Sequence, residues 1–139
     1  ELLRTLFGIV PADSPAEAWD KLKREVQRLR PDLAQFAPLL GNLLSLRSDQ
    51  DASLRSLDAK AQRERLTETL VGVLHAAAAE QPPLLLFEDL HWTDGPSLEV
   101  LSSVLGRPDS PFLVCLTSRN EARPAEFSGL RPSLSLRVG

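Results

Sequence analysis

The chain has 139 residues, 42% hydrophobic and 25% charged, enough for one domain with a real core. Its net charge of -3 and pI near 5.4 leave no basic surplus to grip nucleic acid or an anionic membrane. A single cysteine excludes an internal disulfide and fits a reducing, cytoplasmic setting. No apolar run nears the roughly 18 residues that span a bilayer, and no signal peptide is visible.

Leu2, Leu3, Leu6 and Phe7 recur at helical spacing, and Gly8 can end that helix in a left-handed conformation. There is no methionine, and the helical pattern starts at Glu1, so the chain is expected to be a piece of a longer polypeptide. Ser14-Pro15-Ala16-Glu17 is a helix start: Ser at the cap, Pro at the first helical position, Glu three residues after the cap. Trp19, Leu22, Val26 and Leu29 form one packing stripe until Pro31 stops the helix. Residues 32–44 read as a short helix and turn broken by Pro38 and Gly41. Residues 45–56 read as a polar surface loop.

A long helix is predicted over 58–79, with Leu66, Leu70, Val73, Leu74 and Ala77 facing inward. His75 lies in it and reads as structural or solvated rather than as a ligand. Gln81-Pro82-Pro83 breaks the helix. Leu84-Leu85-Leu86-Phe87 then has the look of a strand buried on both faces. It runs into Glu88 and Asp89. Asp94-Gly95-Pro96-Ser97 starts another helix with Asp94 as its cap and Leu98, Leu101, Val104 and Leu105 as its buried face. Gly106-Arg107-Pro108-Asp109 ends it. Residues 112–116 are a second apolar strand, with Cys115 as a small buried hydrophobe. A strand, one helix and a second strand make a βαβ unit, so the strands are expected to be parallel. Residues 122–132 read as a loop. Leu134, Leu136 and Val138 alternate with polar residues as a half-buried strand.

Acids at the end of a buried strand sit at the carboxyl edge of a sheet, where open α/β folds bind ligands. One acid there can hold magnesium and the other can polarise a water for attack on a phosphoryl group. Neighbouring side chains on a strand point to opposite faces, which suits separate roles for Glu88 and Asp89. The second strand ends in Thr117-Ser118-Arg119, which would bring a hydroxyl and a cation beside phosphates. Plainer alternatives exist for each. The acids could cap a helix or pair with arginines, Arg119 could pair with Glu121 or the acids, and the hydroxyls could bond to backbone. His91 and Trp92 read as local packing and hydrogen-bonding residues that hold the turn. A nuclease-type metal site would need a further His or acid cluster, and His75 is the one other histidine.

The run from Leu84 to Asp94, with its apolar strand, two acids, His91-Trp92, a small residue and Asp94, resembles the Walker B segment of STAND-type, AAA-related P-loop ATPases. Such modules occur beside bacterial adenylate or guanylate cyclase domains, serine/threonine kinase domains and LuxR-type regulators with tetratricopeptide repeats. The helix from Ser97 and Leu116-Thr117-Ser118-Arg119-Asn120-Glu121 are similar to the helix after Walker B and to the sensor-1 strand, and residues 2–9 resemble the segment before the family's helical stretch. The resemblance covers most of the chain and is sharpest over 88–94.

It implies an incomplete P-loop NTPase-type parallel sheet flanked by helices. Residues 1–80 would be a helical stretch, and 81–139 would carry the Walker B, sensor-1 and terminal strands. It also implies ATP and Mg2+ as cofactors, Glu88 and Asp89 as catalytic and metal-binding acids, and Thr117, Ser118 and Arg119 as nucleotide-binding residues. Partners would be the cyclase, kinase, DNA-binding or repeat domains of the same polypeptide, with room for a homo-oligomer. No membrane or direct nucleic-acid contact is implied. The chain departs from the family at Glu88, where Asp is frequent, and no Gly-x-x-x-x-Gly-Lys-Ser/Thr occurs in it. In the family that loop and the strand before it lie upstream, so these residues alone are not expected to bind ATP. A rival expectation is a non-hydrolysing scaffold of degenerate NTPase fold, whose helices at 14–30 and 58–80 hold a partner protein.

Overall fold

The computed structural model describes residues 1–46, 58–106 and 111–119. The chain is mixed α/β and divides into two compact units, Glu1–Gln81 and Pro82–Gly139.

The first unit is helical in its described residues. Helix α1 (Leu2–Leu6) ends as the sequence predicts, at a left-handed Gly8 with φ of 62°. That glycine lets the Ile9 amide reach back to the Arg4 carbonyl at 2.8 Å, and Phe7 and Ile9 enter the core. Helix α2 (Pro15–Leu29) opens with the expected reciprocal cap: the Glu17 amide donates to Ser14 Oγ at 3.3 Å, and the Ser14 amide donates to Glu17 Oε2 at 2.9 Å. The Ser14 hydroxyl and amide hold the Glu17 carboxyl below its ordinary range. Lys21 ties the preceding loop to this helix, donating to the Gly8 carbonyl at 3.0 Å and to both Asp13 oxygens. Ala18, Leu22 and Val26 are buried; Trp19 and Leu29, at the stripe's edges, are half-buried.

A 3-10 segment (Pro31–Phe36) leads directly into helix α3 (Ala37–Leu43). Pro38 and Gly41 do not break it, contrary to the sequence expectation. Pro38 falls in the first turn, where no backbone donor is needed, and Gly41 is there for closeness. A Cβ at 41 would lie 2.6 Å from Cζ3 of Trp19, so any larger residue here would force the Trp19 ring or the α2–α3 approach to shift.

Helix α4 (Ala59–Glu80) starts at Asp58, whose Oδ1 accepts the Ala61 amide at 2.7 Å. It packs against α2, the 3-10 segment and α3. Leu70, Val73 and Leu74 are buried as expected, and Leu66 and Ala77 are half-buried. Thr69, Val71, Gly72 and Ala78 are buried as well, so the middle of α4 is enclosed on more than one stripe. Fully buried Thr69 is satisfied within the helix, its hydroxyl donating to the Arg65 carbonyl at 2.7 Å. Of the loop predicted over 45–56, all but Ser45 and buried Leu46 lies outside the described residues.

The described residues of the second unit form the expected βαβ. Strand β1 (Leu84–Phe87) pairs in parallel with β2 (Leu113–Leu116), with Leu84 opposite Leu113 and Phe87 opposite Leu116. Helix α5 (Gly95–Leu105) lies between them in sequence. Asp94 caps it, accepting the Ser97 amide at 2.7 Å, and that bond holds the Asp94 carboxyl below its usual range. Leu90, Leu98 and Leu101 form a small core with Phe87 and Leu105 packed against it.

The expectation that β1 is buried on both faces is corrected here. Leu85 is 2% exposed, but its neighbours Leu84 and Leu86 are 64% and 57% exposed, and Leu113 is 69% exposed. Side chains paired across a sheet share a face, so Leu84, Leu86, Leu113 and Cys115 line one open side. Cys115 is exposed, not buried as expected. The reason is architectural: among the described residues one crossover helix, α5, joins the two strands, and such a crossover lays its helix over one face of the sheet. The loop predicted over 122–132 and the strand at Leu134, Leu136 and Val138 lie outside the described residues. Among the described residues, no helix is long and apolar enough to cross a membrane.

Candidate functional site

β1 ends at Phe87 and β2 at Leu116, and the parallel register brings the two ends side by side. Pairing continues for one more rung on each side. The Thr117 amide donates to the Phe87 carbonyl, and the Leu90 amide donates to the Thr117 carbonyl, both at 2.9 Å. Between these rungs the chain turns sharply at Asp89, which has φ of 54° and ψ of 44°. This left-handed conformation is costly for most side chains and tolerated by Asp and Asn. A short 3-10 turn (Leu90–Trp92) follows.

The turn changes how the acid pair must be read. Glu88 and Asp89 both lie beyond β1, and Asp89 is not extended, so the alternation of side chains along a strand does not govern them. The separate faces expected from that rule are withdrawn. Both acids are exposed.

Of the residues expected from β2, two meet Asp89 directly. The Asp89 amide donates to Thr117 Oγ1 at 3.1 Å, across 28 residues of sequence. The Arg119 guanidinium Nε lies 3.8 Å from Asp89 Oδ1, an ion pair open to water. Ser118 is exposed between them in sequence. The structure therefore joins Asp89, Thr117 and Arg119 at one sheet edge, with Glu88 one residue before the turn. Thr117 serves the backbone of Asp89, the plainer role for a hydroxyl at a strand end.

His91 belongs to this group more closely than its sequence suggests. Its Nδ1 accepts the Arg119 amide at 3.3 Å and lies 3.9 Å from Asp89 Oδ1. Trp92, read from sequence as a packed turn residue, is 82% exposed; its ring is tilted 43° to the imidazole at 5.3 Å. The packing expected of Trp92 is corrected: Leu90, two residues earlier, is the turn's buried anchor.

Magnesium can be set against these donors. Among the described residues no three His, Cys, Asp or Glu side chains gather as a metal cage. Two exposed carboxylates without a third ligand still fit magnesium, which keeps several waters and is bound through one or two carboxylates plus substrate phosphates. The donor set thus fits a metal shared with a phosphate ligand.

No protein-family model, curated protein or solved structure matches this chain.

Proposed function

We propose that this chain is the Walker B and sensor-1 portion of a STAND-type P-loop ATPase module. The parent binds ATP with magnesium and uses hydrolysis as a conformational switch in signalling or transcriptional control, in the cytoplasm. One observation supports this most: Asp89 from the β1 end meets Thr117 and Arg119 from the β2 end at the carboxyl edge of a parallel sheet. In this reading Glu88 and Asp89 hold the metal and orient the attacking water, and Arg119 balances phosphate charge. Bound magnesium would supply charge neutralisation at the phosphates.

The test needs the longer polypeptide. A phosphate loop encoded before Glu1 and loss of ATP turnover on Asp89→Asn are the expected results. No phosphate loop, or turnover unchanged in Asp89→Asn, overturns the reading. Measurable ATP binding by residues 1–139 alone would remove the premise that the phosphate grip lies elsewhere. The rival is a non-hydrolysing scaffold. The open apolar face at Leu84, Leu86 and Leu113 favours it, since such a face suits a protein contact.

A further inference from the structure

β2 ends at Leu116, three residues before Arg119, so the strand ladder no longer fixes the arginine. Its side chain is 82% exposed, and its ion pair with Asp89 is long and open to water. The arginine's backbone, however, is held. The Arg119 amide donates to Nδ1 of His91, whose side chain is only 18% exposed and sits on the 3-10 turn that begins at buried Leu90. A ring nitrogen that accepts carries no proton. In the neutral imidazole the proton is then on Nε2.

Arg119 is thus gripped at two points from one turn, its amide by His91 and its guanidinium by Asp89. The two acceptors, His91 Nδ1 and Asp89 Oδ1, lie 3.9 Å apart. If the amide anchor moves, the reach of the guanidinium relative to the carboxylate moves with it.

We infer that His91 is a positioning residue for Arg119: in its Nε2–H tautomer it fixes the Arg119 backbone and so sets where the guanidinium stands beside Asp89. His91 touches neither metal nor nucleotide in this role. The inference rests on the proposed function only in giving Arg119 a task at phosphate; the positioning itself is independent of ATP.

The experiment uses the 139-residue chain at one fixed pH throughout. Asn at 91 can place its side-chain oxygen near the position of Nδ1, whereas Gln places its oxygen near Nε2. Two-bond proton–nitrogen spectra of His91 should report the Nε2–H tautomer. Amide exchange at Arg119 should stay within about twofold of the parent in His91→Asn and rise about fivefold or more in His91→Gln, the loss of one hydrogen bond. Exchange at Leu90 and Thr117 should be unchanged in both variants, which shows that the strand ends remain folded. The Nδ1–H tautomer overturns the inference. So does equal Arg119 exchange in the Asn and Gln variants, or acceleration of Leu90 and Thr117 together with Arg119, which would make His91 a brace for the whole turn. None of these readouts depends on ATP turnover, so the inference and the proposed function can fail separately.

Discussion

Replacing Asp89 by Asn, Ala and Gly separates what its backbone does from what its charge does. The left-handed conformation, φ 54° and ψ 44°, costs a residue with an ordinary Cβ about 1–2 kcal/mol. Asn tolerates it as Asp does. Gly escapes the Cβ clash but adds about 0.4–1 kcal/mol of chain entropy to the unfolded state. The charge should matter less, because the Asp89 and Arg119 side chains are 54% and 82% exposed at 3.8 Å, and exposed pairs contribute about 0–1 kcal/mol. Asp89→Ala should therefore destabilise the turn by about 1 kcal/mol more than Asp89→Asn, a factor of about five in the opening equilibrium. Native-state amide exchange at Leu90 and Thr117, the two rungs that flank the turn, is the assay. The expected order is Asn near the parent, Gly close behind, and Ala about fivefold faster than Asn. Equal rates in Ala and Asn would refute the claim that backbone conformation selects the residue here. A large gap between the parent and Asn would transfer the effect to charge.

Ser14→Ala removes one half of the reciprocal cap on α2 and should cost about 1 kcal/mol, read as a lower urea midpoint for the helical unit. Leu85→Ala should cost about 2–4 kcal/mol, whereas Leu86→Ala should stay within about 0.5 kcal/mol, because Leu85 is buried and Leu86 is open. Residue-resolved urea titration of the two variants distinguishes the faces, and equal losses would mean that the open face is covered. The Asp94 carboxyl is held low by the Ser97 amide, so the stabilisation it gives α5 is full above the ordinary carboxylate value and is lost as pH falls through the depressed folded value. The Ser97 amide shift should titrate below the ordinary carboxylate range and lose that titration in Asp94→Asn.

What could be read in the sequence was local. The caps at Ser14 and Asp94 and the left-handed Gly8 depend on a few neighbouring residues, and each forms as expected. The strand, helix, strand order fixed parallel pairing because so short a connection leaves few alternatives. Pro38 and Gly41 misled because their meaning lies in other elements: one sits in a first turn, the other under the Trp19 ring. Four apolar residues in a row at 84–87 could not reveal that only one side is covered, since apolar character reports a preference and not how many layers are present. At the candidate site the meeting of Asp89 with Thr117 and Arg119 followed from two strand ends. The left-handed turn at Asp89 and the Arg119 amide on His91 did not, because both depend on backbone positions that residue types leave open.

The register of β1 against β2 also determines which length changes the site can survive. Leu84 faces Leu113, and every bond that assembles the site spans 27 to 30 residues across that pairing. Adding or removing residues between α5 and β2 leaves the pairing free to re-form. Deleting one residue within Leu84–Phe87 does not: it sends Leu85's successor to the wrong face and shifts Asp89 one rung from Thr117. Insertions should thus be tolerated between the elements and rejected within them, even though the two strands are only four residues long.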